Sequence, residues 1–93
     1  QRQVIQMARL GGWRVAHFRP ARRQSGGFST PVAADGKGFP DLVLARRREI
    51  IHAELKTDAG KLSPDQIAWR AALGGEVWRP RDFESVRRRL VGM

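Results

Sequence analysis

DLVLARRREIIHAELKT, residues 41–57, constrains this chain more than any other stretch. Two apolar runs, 41–45 and 49–57, flank a charged turn, RRRE at 46–49, so the segment reads as a β-hairpin. Side chains alternate along a strand. Ile51, Ala53 and Leu55 therefore share one face, and Ile50, His52, Glu54 and Lys56 share the other. The first face suits a core. The second sets an acid beside a base, which means either a wetted surface or something charged against it.

The flanking segments supply the rest of an α/β layer fold. QRQVIQMARL (1–10) carries a helical stripe of Val4, Ile5, Met7, Ala8 and Leu10, and Gly11-Gly12 stops it. WRVAHF (13–18) alternates as a strand. Residues 19–38 show no period and hold two prolines and four glycines. A connection of that length in a small domain is expected to be functional or mobile rather than filler. LSPDQIAWRAAL (62–73) reads as a helix with Ser63 as N-cap, Pro64 at its first position and Gln66 as capping-box partner. Gly74-Gly75 ends it, EVWRP (76–80) is a further strand, and DFESVRRRLVGM (82–93) a last helix. The expectation is one domain over residues 1–93, ordered α-β-β-β-α-β-α, with a central mixed sheet of about four strands flanked by helices.

Charge narrows the partners. Eighteen Lys and Arg face nine Asp and Glu, a net charge of +9, and fifteen of the cations are arginine. Such an excess favours a polyanion, and arginine suits bidentate phosphate recognition. No apolar run approaches the ~20 residues that cross a bilayer, and no segment sets a strong apolar face against a basic one, so nucleic acid is favoured over membrane. The chain has no cysteine, which excludes disulfides and thiolate metal sites. His17 and His52 lack zinc-ligand spacing. The first residue is not Met, so the chain is expected to be a trimmed piece.

Asp41 and Glu54 fall at strand positions, and a polyanion beside acids requires a cation between them. If the two carboxylates meet, with Lys56 alongside, they suit a hard cation such as Mg²⁺. Such an ion lowers the pKa of bound water and polarises a phosphate, while Lys56 orients that water or stabilises developing negative charge. The expectation is that the two acids meet only if the hairpin is offset or diverges.

Pro40-Asp41 followed by Glu54-Leu55-Lys56 resembles the PD-(D/E)XK nuclease motif. Gly38-Phe39-Pro40-Asp41, Glu54-Leu55-Lys56, and Ser63-Pro64-Asp65-Gln66 with Trp69 together are similar to the VRR-NUC (virus-type replication-repair nuclease) branch. The likeness implies a restriction-endonuclease-like core and a Mg²⁺- or Mn²⁺-dependent endonuclease. Asp41, Glu54 and the backbone carbonyl of Leu55 would hold metal, Lys56 would be the catalytic lysine, and Gln66 would support the site or reach the scissile phosphate. Stand-alone members resemble phage or bacterial homodimers that cut branched DNA, including four-way junctions, which implies the cytoplasm of a bacterium or phage-infected host and no nucleotide cofactor. Family members often add a glutamate from the first helix; this chain has only Gln1, Gln3 and Gln6 there. That glutamate either lies upstream or is dispensed with.

Taken singly, each piece has a plainer explanation. Glu54 and Lys56 suit a solvated strand face, Asp41 a turn, and Gln66 its cap alone. His52 suits an exposed strand, and Trp13, Trp69 and Trp78 suit packing. Arg19, Arg22 and Arg23 in the long connection, and Lys61 beside the helix start, are candidate phosphate contacts. The triplets Arg46–Arg48 and Arg87–Arg89 read as surface, and the apolar edge around Trp13, Phe18 and the ordered part of the long connection as the candidate dimer surface. A non-catalytic DNA-binding module with a nuclease-like fold is the alternative, and a metal-free ribonuclease a third reading that chelation separates.

Overall fold

A computed structural model describes residues 2–18, 21–22, 28–29 and 34–92. Helix α1 (Arg2–Leu10) leads into strand β1 (Arg14–His17), and two-residue strands β2 (Ala21–Arg22) and β3 (Phe28–Ser29) follow. The long hairpin consists of β4 (Leu42–Arg46) and β5 (Glu49–Leu55). Then come α2 (Pro64–Leu73), β6 (Glu76–Trp78), a single 3-10 turn (Pro80–Asp82) and α3 (Phe83–Val91). The main sheet is mixed and four-stranded, ordered β1-β4-β5-β6. Its first two pairings are antiparallel, whereas β5 and β6 run parallel. Parallel neighbours need a crossover, and α2 supplies it. The expected element order and sheet size are found.

The structureless reading of 19–38 is not. Within it β2 and β3 pair as an antiparallel ribbon, Ala21 with Ser29 and Arg22 with Phe28. Strands of two residues are too short to leave a period in the sequence. Arg19 and Arg23 lie outside the described residues.

Alternation places Leu42, Leu44, Ile51 and Ala53 on one sheet face, all at most 2% exposed. Met7 and Ala8 of α1, Val86 and Leu90 of α3, Trp13 and Trp78 complete this core. Leu10, expected in the apolar stripe of α1, is instead 81% exposed, because it lies past the last turn that meets the sheet. Trp13 is buried and donates its indole N–H to the carbonyl of Leu90 at 3.0 Å. It is therefore not available to a dimer surface, whereas Phe18 of the same expected edge is exposed; the side chains of 19–33 lie outside the described residues.

Arg46 also departs from expectation. It falls on the core face of β4, its guanidinium 4.2 Å from the Trp13 ring centre. It donates to the carbonyls of Gly11 at 2.8 Å and Leu90 at 3.4 Å. These carbonyls close α1 and α3, and the negative ends of two helix dipoles thus share one cation. The helix ends approach so closely that a Cβ on Gly11 would stand 1.8 Å from the Leu90 oxygen. Arg87 and Arg89, in contrast, sit on the surface and pair with Glu84 and Glu76.

The hairpin closes through Arg46 opposite Glu49, which leaves only Arg47 and Arg48 in the turn. Both hold positive φ, 49° and 69°. A two-residue turn of the I′ kind demands this, and Asn-Gly is its usual occupant. A side chain in the left-handed region costs roughly 1–2 kcal/mol per residue. Replacing the pair by Asn-Gly (Arg47→Asn/Arg48→Gly) is expected to raise stability by about 1–2 kcal/mol in urea melts.

Candidate active site

With Leu42 opposite Ala53, the same register sets Asp41 opposite Glu54. The expected offset or divergence of the strands is therefore unnecessary: a plain hairpin with a two-residue turn brings the acids together on one face. Glu54 is only 7% exposed. Burial, first, and then the charge and hydrogen bonding of Asp41 push its carboxyl up to about 8, against a smaller downward pull from Lys56. Without a cation, Glu54 holds a proton at neutral pH.

Backbone geometry explains why proline precedes Asp41. Leu55 directs its N–H towards β4, where the opposing position falls to Pro40. The amide donates to the Asp41 carboxylate, at Oδ2 and 2.9 Å. N–H and C=O of one residue point to the same side of a strand. The Leu55 carbonyl thus faces the same gap, and Pro40 has no N–H to offer it. Two opposed carboxylates and a carbonyl without a ladder donor are an all-oxygen set of the kind Mg²⁺ or Mn²⁺ takes. Among the described residues no third Asp, Glu or His joins them.

Gln66 divides its amide between two tasks. Its Oε1 accepts from the Ser63 N–H at 2.8 Å, completing the capping box, and its Nε2 donates to Glu54 Oε2 at 3.0 Å. Gln66 thus caps α2 and at the same time holds the Glu54 carboxyl. Gly38 makes this docking feasible: its φ is +84°, and a Cβ there would lie 2.6–2.9 Å from Asp65 and the Gln66 nitrogen. Phe39, next in line, meets Phe18, His52 and Trp69 edge-on at 5.6, 6.1 and 5.0 Å between ring centres. Trp69 ties its indole to the carbonyl of Asp35 at 2.9 Å. Its role is to hold the loop that delivers Gly38, Pro40 and Asp41.

Lys56 lies one residue beyond β5, and its amide donates to the Trp78 carbonyl at 3.0 Å. It borders a cleft of about 650 Å³ together with Gln3, Val4, Leu55, Trp78 and Phe83. Gln3 is thus the polar residue that α1 presents on this side, beside Val4. Arg79 fixes the turn after Lys56, donating to the carbonyls of Thr57 at 2.6 Å and Gly60 at 2.7 Å. Sequence reasoning missed Arg79 and Phe39. The only signal for Arg79 is a cation at the end of a strand parallel to the Glu-x-Lys strand.

Of the expected phosphate contacts, Lys61 is exposed two residues before the Ser63 cap. Arg22 lies in β2, with its side chain outside the described residues, as Arg19 and Arg23 are altogether. No helix among the described residues is long and apolar enough to cross a membrane. No family model matches the chain, and no curated protein or solved structure matches it either.

The Glu54 proton sets a pH dependence. Unfolded, a glutamate releases its proton near 4.5, and here the fold retains it to about 8. Stability from this group is complete below the lower value and is lost as pH rises through the upper one. A tenfold change in proton affinity is worth about 1.4 kcal/mol. In chelator, wild type is expected to lose on the order of 2–4 kcal/mol between acid and alkaline pH in urea melts, a slope that Glu54→Gln abolishes. Gly38→Ala is expected to cost about 2–3 kcal/mol through its clash with α2 and its left-handed backbone. Thermal melts read that loss directly.

Proposed function

We propose that this chain is a metal-dependent endonuclease of the PD-(D/E)XK type, of the VRR-NUC branch, that hydrolyses phosphodiester bonds in branched DNA. The observation that carries the proposal is the opposition of Asp41 and Glu54 on adjacent strands, with Lys56 acting on Glu54, in a chain of charge +9. Carboxylates are otherwise ill-placed to receive a polyanion. A divalent cation would sit on Asp41, Glu54 and the Leu55 carbonyl, where it supplies Lewis acidity and a water of lowered pKa.

The chain's own groups do the rest. Gln66 fixes the carboxylate of Glu54 through Oε2, and the Leu55 amide fixes Asp41 through Oδ2. Both acids are thereby held before substrate arrives. The Lys56 ammonium acts on the charge of Glu54, and in this reading it orients the attacking water and stabilises negative charge gathering on the phosphate. Arg79 keeps the Thr57–Gly60 turn from swinging Lys56 away. Preference for four-way junctions rests on the motif resemblance. So does a homodimer, since one site cuts one strand and symmetrical cutting needs two sites about a two-fold axis.

The test is cleavage of an end-labelled four-way junction, beside matched duplex and single strand, in Mg²⁺, Mn²⁺ or EDTA. Cutting is expected only with metal and preferentially on the junction. Lys56→Ala and Asp41→Asn are expected to lower the rate by about 10²-fold or more while still binding DNA. Tight binding without cutting in either metal would leave a DNA-binding module. Cutting of a matched RNA strand in EDTA, with DNA left intact, would point to a metal-free ribonuclease.

A further inference from the structure

At the opposite end of the hairpin from the carboxylates lies a second concentration of charge. Arg14, Arg46, Arg47 and Arg48 border a notch of about 380 Å³ floored by Gly11 and Gly12. Among the described residues the acid that pairs here is Glu49, 4.0 Å from Arg46, which is itself engaged with two helix ends. Arg14, Arg47 and Arg48 are exposed, and among the described residues their side chains make no hydrogen bond or ion pair. Two of the three also occupy the left-handed turn, where a different pair would be more stable. The arrangement keeps unpaired guanidinium groups together at a cost in backbone conformation.

The sheet connects this cluster to the site. On the face that bears Asp41 and Glu54, the pairings set Arg14 beside Ala45 and Ile50, then Ala16 beside Val43 and His52. Arg14, Ala16 and Ile50 are exposed. From Glu54 to Arg48 is six strand steps, roughly 20 Å at ~3.3 Å per residue. A nucleic acid strand covers that span in about six nucleotides at ~3.4 Å each.

We infer that Arg14, Arg47 and Arg48 form a second contact for the DNA backbone, gripping phosphates about six base pairs from the bond that is cut. The inference rests on the nuclease reading of the Asp41–Glu54 end. The charges recognise phosphate and not sequence, so the contact sets register and affinity without base preference.

The test uses the full chain carrying Lys56→Ala, so that binding is measured without cutting. Arg47→Asn/Arg48→Gly is added to remove two charges while keeping the turn. Arg87→Gln/Arg88→Gln removes two charges elsewhere and serves as control. Junction binding is followed from low to moderate salt. The turn variant is expected to weaken binding at least about tenfold and to reduce the slope of log affinity against log salt by about 2. Its thermal stability is expected to rise, a direction that damage to the fold would not produce. Hydroxyl-radical footprinting is expected to lose protection about six base pairs from the cleavage position and to retain it at that position.

An unchanged slope and footprint in the turn variant would overturn the inference. So would an equal fall in slope in the α3 control, or competition by poly-glutamate as effective as by duplex. If the Lys56→Ala parent binds DNA but the wild type never cuts it, the nuclease reading fails while the salt slope still judges the arginine contact. If the parent binds no DNA, both fall.

Discussion

A turn of two residues governs this molecule. Because Arg46 pairs with Glu49, every later pair across the hairpin is set, down to Asp41 against Glu54. One residue more or fewer would send one carboxylate to the opposite face, since side chains alternate with period 2. The same register places Arg46 among the ends of α1 and α3, and Leu42, Leu44, Ile51 and Ala53 in the core. Core and site are thus two faces of a single pairing.

Opposed, buried carboxylates destabilise a fold unless something offsets them. Here the offsets are a proton on Glu54, an amide from Gln66 and the N–H of Leu55. Each is local and directional. The backbone contribution is the Leu55 N–H, which donates to the Asp41 side chain rather than to a ladder carbonyl. Pro40, with no N–H, leaves the Leu55 carbonyl without a ladder donor.

The sequence discloses those parts whose signals are local. Ser63, Pro64 and Gln66 announce the start of α2, and the capping box is there. The alternation in residues 50–55 announces β5 and its two faces. Register is not local: RRRE reads as a four-residue turn, but its outer members pair and only the inner two turn. For the same reason Arg46 looks like one of three surface cations, although period 2 puts it on the core face. Arg79 and Phe39 carry no motif, because their value lies in carbonyls and rings that only folding brings near. Asp41, Glu54, Lys56 and Gln66 are legible as a set, and the structure gathers them at one end of the sheet.

Helix α2 has no buried residue, and Ile67 on it is 54% exposed. It is held chiefly by the close approach of Gly38, by Trp69 against Phe39, and by the bond from Gln66 to Glu54. A helix so lightly attached belongs to the less stable end of a domain's local equilibria. The state of Glu54 and the seating of α2 are then linked quantities, and linkage is reciprocal. Whatever fixes the Glu54 carboxylate also draws α2 onto the sheet, and whatever lifts α2 loosens the carboxylate. The Glu54 carboxyl is thereby coupled to a helix that contributes nothing to the core.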